Sequence, residues 1–351
     1  MNSFLSSNAV ATEKAGRELG LRVHIAPEWG KIVLLSGELG TGKTTFSRGF
    51  FDALGIPKED IKSPTFTYLE EYKTENRICI HGDLYRLKDT PNSAHILESE
   101  IEKIGERGDI LLLEWSDLLD ERILNLFEGT YISVHFAHGN SESERNISLT
   151  FHNALNIPKN KIPGLMEEFM TPQHIQKHIE MVTHVATILG NKLFQSGVPL
   201  DIELITNGAL CHDLLRYVDF KDLNDVSRFQ EEVTDEKIAL WKSVRQKYEK
   251  FHHGSAMADV LRSRGYSATA DVVEAHMTGM IFREKPFTWE EKVVYYADKR
   301  VLHDEIVSLK KRFEDGRKRY AHEASPNLEK KVSDLEQEIF ENLDIAPEEI
   351  R

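Results

Sequence analysis

The sequence predicts two domains of different class, an α/β domain with a mainly parallel sheet followed by an all-α domain. Length is the first observation, because 351 residues divided by the roughly 150 of a typical domain gives two. Up to about residue 153, short apolar runs alternate with amphipathic helical patterns. After residue 164 only helical periodicity remains, which favours a separate helical domain.

Continuous apolar runs mark the strands of the first domain, over 1–153. They lie at residues 31–36, 77–81 and 109–114, and a run without alternation predicts a strand covered on both faces, as in a parallel sheet. Residues 131–136 and 145–151 alternate instead, so we expect an antiparallel hairpin there. The stretch 154–164 contains two prolines and is the predicted linker.

Helical spacing of apolar residues organises the second half. It predicts helices near residues 173–190, 204–215, 238–251, 256–264, 268–280 and 289–307. These give an all-α domain over 165–320. A C-terminal amphipathic helix over 325–347 follows, opened by Ser325-Pro326, and we expect it to pack on the helical domain or on a partner.

Composition narrows the class of protein. The net charge of −14 repels a polyanion, which disfavours direct nucleic-acid binding as the main activity. No apolar run approaches the ~18–20 residues of a membrane span, and the N-terminus lacks the pattern of a secretory signal. We therefore expect a cytoplasmic protein without a membrane partner.

A phosphate-loop pattern follows the first apolar run directly. It satisfies G-x-x-x-x-G-K-[ST] and reads Gly37-Glu38-Leu39-Gly40-Thr41-Gly42-Lys43-Thr44-Thr45, so the α/β domain is predicted to be a P-loop NTPase domain. In this pattern the backbone amides surround phosphate oxygens, Lys43 reaches the β- and γ-phosphates, and Thr44 binds Mg²⁺. Glu114 ends the third predicted strand and Asp83 follows the second, where a carboxylate can hold the metal or orient water. No guanine-selecting Asn-Lys-x-Asp occurs in the first domain, so ATP is the expected nucleotide.

Four motifs in order resemble the TsaE-type ATPase subunit of bacterial tRNA threonylcarbamoyladenosine synthesis. They are the phosphate loop, Ser63-Pro64-Thr65-Phe66, His81-Gly82-Asp83-Leu84-Tyr85-Arg86-Leu87 and Glu114-Trp115. The resemblance implies an ATPase that works with two partner subunits to modify the adenosine next to the anticodon, the partners holding most of the tRNA.

The same resemblance assigns roles to single residues. Lys43, Glu114 and Asp83 serve catalysis, and Thr44 and Glu114 serve the metal. Thr65 lies near the γ-phosphate and Trp115 packs beside the site. Thr41 stands where many relatives have alanine, a departure that we do not expect to damage the loop.

Histidine and aspartate are spaced through the helical half in a pattern that suits a transition metal. The chain has 15 histidines, and His178, His212, Asp213 and Asp298 fall on predicted helices or at their ends. Neutral imidazole with carboxylate suits Fe²⁺, Mn²⁺, Co²⁺, Ni²⁺ or Zn²⁺, and such a metal can lower the pKa of a bound water.

The set His178…His212-Asp213…Asp298 resembles the HD-domain metal phosphohydrolase superfamily. The resemblance implies that His253 and His276 supply two more ligands, with Asp213 bridging two metals, and that the substrate is a nucleotide or another phosphate ester. Arg216 stands where a lysine is common.

The leading hypothesis is an ATPase for tRNA modification fused to a phosphohydrolase. Two alternatives stay open. In one, the first half senses ATP and controls a signalling or nucleotide-clearing hydrolase without a role in tRNA modification. In the other, the helical half is a docking module with an inactive metal site.

Overall fold

A computed structural model describes residues 2–62, 69–75, 77–85, 98–99, 101, 109–229, 231–319 and 325–351. The chain divides into two compact units. The first consists of Met1–Ala154 and Phe194–Leu200, and the second of Leu155–Leu193 and Asp201–Arg351. Across the described ranges, no helix combines the length and the apolar character that crossing a membrane requires.

The first unit is built on a mixed sheet. Its strands are β1 (Asn2–Ser6), β2 (Ile32–Gly37), β3 (Leu69–Lys73), β4 (Ile78–Asp83), β5 (Ile110–Glu114), β6 (Thr130–His138) and β7 (Arg145–Asn153). Within the described part of the chain their order is β1-β7-β6-β2-β5-β4-β3. The pairs β2–β5, β2–β6 and β4–β5 are parallel, whereas β1–β7, β6–β7 and β3–β4 are antiparallel.

The predicted parallel centre and the β6–β7 hairpin are therefore confirmed, but a mainly parallel sheet is too simple a description. Antiparallel strands border the centre on both sides. The two outermost strands, β1 and β3, were not predicted. An edge strand covers little apolar surface, and β3 reads Leu-Glu-Glu-Tyr-Lys with none of its residues fully buried.

Helices α1 (Ala9–Ile25), α2 (Lys43–Ala53) and α3 (Glu121–Asn125) belong to the same unit. Glycines let α1 and α2 approach each other at backbone distance. A Cβ atom on Gly49 would lie 1.9 Å from the carbonyl oxygen of Glu13, and one on Gly16 would lie 2.1 Å from that of Phe46. This close packing fixes α2, whose first turn is formed by the end of the Gly37–Thr45 segment.

The second unit is largely helical. Its described helices are α4 (Ile162–Glu168), α5 (Gln173–Gln195, whose last two residues group with the first unit), α6 (Ile202–Cys211), α7 (Asp235–Lys247), α8 (His253–Ser263), α9 (Ser267–Ala275), α10 (Trp289–Lys299), α11 (Leu309–Arg319) and α12 (Pro326–Phe340). One core joins Ile179, Trp241, Met257 and Val273 from four of them. Local sequence sets the helix ends, as where Thr288 and Glu291 form a capping box at the start of α10.

Two predictions for this unit need correction. The helix predicted through residue 307 ends at Lys299, and a short hairpin of β8 (Val301–Leu302) and β9 (Glu305–Ile306) follows. The unit is thus not purely helical. The stretch 154–164, predicted as a linker, belongs to the second unit from residue 155 on, because Ile157 and Ile162 lie in its core.

The C-terminal helix α12 is shorter than the predicted range 325–347. Its apolar residues Leu328, Val332, Leu335 and Ile339 are buried, and Phe340 packs edge-on against Tyr296 of α10 with ring centroids 6.0 Å apart. The helix therefore braces α10 within the same unit.

Candidate functional sites

The Gly37–Thr45 segment, here called the glycine loop, turns sharply from β2 into α2. Gly37, Gly40 and Gly42 have φ angles of 130°, 77° and 98°, a region that favours glycine. At Gly37 a Cβ would also lie 2.2 Å from the carbonyl oxygen of Phe136. The Thr41 hydroxyl donates to the carbonyl of Glu38 at 2.8 Å, so this departure from alanine supports the loop. Thr44 and Thr45 lie in the first turn of α2.

The Lys43 ammonium lies back over the loop. Its Nζ donates to the carbonyl oxygens of Gly37 at 2.7 Å and Glu38 at 2.9 Å, and it is 3.8 Å from the centroid of the Trp115 ring. Burial lowers the pKa of Lys43, while the nearby carboxylate of Glu114 acts to raise it. These contacts are ones that a phosphate group can replace.

The Glu114 carboxylate collects three side chains at the end of β5. The Thr44 hydroxyl donates to its Oε2 at 3.0 Å, the Ser47 hydroxyl donates to its Oε1 at 2.9 Å, and His81 Nε2 is 3.0 Å from the same Oε1. Burial acts to raise the pKa of Glu114, but the bonds from His81, Ser47 and Thr44 outweigh it and the pKa is lowered. An ionised carboxylate beside a hydroxyl is a donor set of the kind that binds Mg²⁺.

Of the other residues predicted for this site, the structure describes Asp83 and Trp115 but not Thr65. Asp83 is paired in register with Glu114 across β4 and β5, and its Oδ1 accepts from the backbone N–H of Tyr85 at 3.0 Å. Trp115 adopts a left-handed φ of 64° and contacts the Tyr85 ring. Thr65 lies outside the described residues, as does the rest of its motif.

Two side chains that contact Glu114 were given no role by the sequence reasoning. They are Ser47 and His81. Both had a usable signal. Ser47 lies one helical turn after Lys43, and His81 lies two residues before Asp83, on the same face of β4.

Six residues of the second unit form a single cluster. The candidate ligand atoms form two groups of three. One group is His178, His212 and Asp298, and the other is Asp213, His253 and His276. Within each group the ligand atoms lie within 4.8 Å of one another. Asp213 joins the two groups. Its Oδ2 is 3.8 Å from Nε2 of both His178 and His212, and its Oδ1 is 2.9 Å from Nε2 of His253.

Backbone carbonyls orient three of the four imidazoles. His178 Nδ1 bonds the carbonyl of His303 at 2.7 Å, His212 Nδ1 bonds that of Ala209 at 2.7 Å, and His276 Nδ1 bonds that of Val273. A carbonyl oxygen only accepts, so Nδ1 carries the proton and Nε2 presents its lone pair to the cluster. The His303 carbonyl is supplied by the β8–β9 turn, where His303 has a φ of 60°.

The donor set fits a divalent transition metal. His212 Nε2 is buried and has no hydrogen-bond partner in the described part of the chain, and Nε2 of His253 and His276 lie 3.0 Å apart. A cation bound between lone pairs that face each other and a carboxylate would stabilise this arrangement. Imidazole nitrogen with carboxylate oxygen suits Fe²⁺, Mn²⁺, Co²⁺, Ni²⁺ or Zn²⁺.

Electrostatics acts differently on the members of the cluster. Burial lowers the pKa of His212 to about 4, which keeps this imidazole neutral. Neighbouring carboxylates outweigh burial and raise the pKa of His178 and His253. Burial acts to raise the pKa of Asp213 and Asp298, but neighbouring positive charge holds both pKa values well below the usual range, and at Asp298 that charge is Lys299. Lys299, which the sequence reasoning missed, contacts Asp298 Oδ2 at 2.6 Å.

Comparison with known proteins gives two family matches. Residues 6–147 match the family "Threonylcarbamoyl adenosine biosynthesis protein TsaE", and residues 175–301 match the HD domain. The tRNA threonylcarbamoyladenosine biosynthesis protein TsaE of Nostoc sp. is 36% identical over 142 residues, which is 40% of this chain and 83% of that protein.

Proteins of the same name from other bacteria match a smaller part. That of Bacillus subtilis is 36% identical over 27% of this chain and 56% of its own length, and that of Haemophilus influenzae is 38% identical over 28% and 60%. This chain thus spans little more than half of these two relatives. The crystal structure of Bacillus subtilis YdiB aligns over 43% of this chain and 85% of its own, with 22% identity and a TM-score of 0.30.

Fold and sites together define a two-part protein, in which a mixed α/β unit with a glycine loop is joined to a helical unit with an HD-type cluster of histidine and aspartate. The chain belongs to the TsaE family through its N-terminal region, and it carries an HD domain in its C-terminal region.

Proposed function

We propose that the first unit is an ATPase that acts with two partner subunits in the threonylcarbamoyl modification of tRNA. The contact of Thr44 with Glu114 beside the glycine loop is the observation that carries this proposal, because it joins a phosphate-binding turn to ligands for Mg²⁺. The names of the relatives support the link to tRNA. The tRNA itself is held by the partners, in keeping with the net charge of −14.

Each residue of this site has a separate task. The backbone amides of the glycine loop bind the phosphates, and Lys43 exchanges the carbonyls of Gly37 and Glu38 for phosphate oxygens. Thr44 and Glu114 hold Mg²⁺, which when bound neutralises charge on the phosphates. Asp83, beside Glu114 in the sheet, orients the attacking water.

Complementation tests this half. Cells that lack their own TsaE subunit receive the full chain, the Lys43→Ala variant or the Lys58→Ala variant, and the modified nucleoside is measured in their tRNA. Lys58 is a suitable control because it forms an ion pair with Glu13 away from the loop. We expect the full chain and the Lys58→Ala variant to restore the modified nucleoside, and the Lys43→Ala variant not to restore it. Full restoration by Lys43→Ala contradicts the proposal.

We further propose that the HD unit is a metal-dependent phosphohydrolase for a nucleotide or another phosphate ester. The convergence of four imidazoles on Asp213 and Asp298 is the observation that carries this proposal. A divalent metal held there supplies a nucleophilic water near neutral pH and polarises the phosphate. Arg216, whose side chain is 35% exposed and whose Nε lies 3.9 Å from Asp213 Oδ2, binds a phosphate oxygen of the substrate.

The test combines metal analysis of the native full chain with a screen of phosphate esters and nucleotides. We expect bound transition metal and hydrolysis, both lost in His212→Ala and both kept in His184→Ala, which changes a histidine outside the cluster. Absence of metal from the native protein rules the proposal out. Repeating the screen with ATP tests the alternative in which the first unit controls the second.

A further inference from the structure

His253 differs from the other three imidazoles of the cluster, because side chains rather than a backbone carbonyl hold its Nδ1. Asp219 contacts the residue twice. Its Oδ2 is 2.5 Å from His253 Nδ1, and its Oδ1 accepts from the backbone N–H of His253 at 3.3 Å. One carboxylate therefore fixes both the ring and the helix start of this ligand.

The Arg216 guanidinium lies over the face of the same ring. Its NH1 is 2.8 Å from His253 Nδ1 and 3.2 Å from His253 Nε2, so it favours neither nitrogen. An ionised carboxylate only accepts hydrogen bonds. Asp219 thus requires a proton on Nδ1, and the alternative arrangement, with the proton on Nε2, loses this bond.

The two arrangements differ in their capacity to bind metal. With the proton on Nδ1, Nε2 of His253 presents its lone pair beside Asp213 and His276. With Nδ1 bare, Nε2 carries the proton and donates to Asp213 Oδ1, 2.9 Å away. That nitrogen then cannot bind a cation.

We propose that Asp219 is a positioning residue that selects the metal-binding tautomer of His253. Metal binding at the position formed by Asp213, His253 and His276 then depends on Asp219, whereas metal binding at the position formed by His178, His212 and Asp298 does not. This inference rests on the proposed metal centre.

Titration of the metal-free full chain with Mn²⁺ tests it, with the number of bound ions and each Kd as readouts. We expect two ions on the wild type. In Asp219→Asn the amide NH₂ favours the bare Nδ1, and the Kd of the second ion rises about 10–100-fold while that of the first is unchanged. Asp222→Asn is the matched control, since Asp222 is exposed and bonds only Asn224 among the contacts seen.

The Kd of the first ion is the control for folding, because a misfolded Asp219→Asn variant would lose both ions.

The outcomes separate this inference from the proposed function. A wild type that binds no ion refutes the metal centre itself. Equal second-ion Kd values for the wild type and Asp219→Asn, or one ion in both, overturn the inference and leave the metal centre standing.

Discussion

Gly254 sets how closely α8 approaches His276, and adding one methyl group there tests the geometry of the metal cluster. In Gly254→Ala the new Cβ would lie 2.9 Å from His276 Cε1 and 2.5 Å from Met277 Sδ. Carbon atoms in good contact are about 3.5 Å apart or more, so one partner must move by roughly 0.6 Å. Met277 can turn aside, but the bond from His276 Nδ1 to Val273 restrains the imidazole.

A shift of that size exceeds what a metal site tolerates, since ligand distances hold within about 0.2 Å. We expect the Kd of the second Mn²⁺ ion to rise about 10–100-fold, with the first ion unaffected. Overpacking should also lower the free energy of unfolding by about 1–3 kcal/mol, partly offset by the ~1 kcal/mol by which alanine exceeds glycine in helix propensity.

The assay is Mn²⁺ titration of the full chain together with thermal unfolding. Gly279→Ala is the matched control, because a Cβ there meets no atom within 4 Å, and it should bind both ions as the wild type does. The reasoning is refuted if Gly254→Ala binds the second ion as tightly as Gly279→Ala.

Three further predictions concern stability. Gly49→Ala places a Cβ 1.9 Å from the carbonyl oxygen of Glu13, so denaturant unfolding should show a loss of about 1–3 kcal/mol or more. Glu114→Gln should be less stable than the wild type near neutral pH. That difference in stability should close as the pH falls below about 4.5 and through the lowered pKa of Glu114. A carboxyl group with a lowered pKa stabilises the fold only while it is ionised, which is at pH values above that pKa. Thr269→Val leaves the buried N–H of Ile157 without its 2.9 Å acceptor and should cost about 1–3 kcal/mol.

Each of these has a contradicting result. Unchanged stability in Gly49→Ala would mean that α1 and α2 are not in backbone contact. A stability difference that persists unchanged at low pH would show that the charge of Glu114 does not stabilise the fold. Unchanged stability in Thr269→Val would indicate that residues near 157 are a free linker.

Most of the site prediction rested on the chemical types of the residues and on their order in the chain. His178, His212, Asp213 and Asp298 lie on three helices or at their ends, and the structure brings them together as the sequence pattern implied. Their use as metal ligands stays a prediction. The same holds for Thr44 and Glu114, which meet because the end of a parallel strand lies beside the start of α2.

What the sequence could not show depends on tertiary position. Asp219 lies in a short turn with no motif around it, and its role arises only because α8 begins beside that turn. The His303 carbonyl serves His178 through a two-stranded hairpin that helical periodicity concealed. Edge strand β1 carried too little alternation to be recognised.

Anomalous diffraction from crystals of the full chain grown with Mn²⁺ tests the central claim most directly, that the six-residue cluster is a two-metal centre arranged around Asp213. We predict two peaks within coordination distance of this carboxylate, one flanked by His178, His212 and Asp298 and the other by His253 and His276. A map with no peak at Asp213 would contradict the claim.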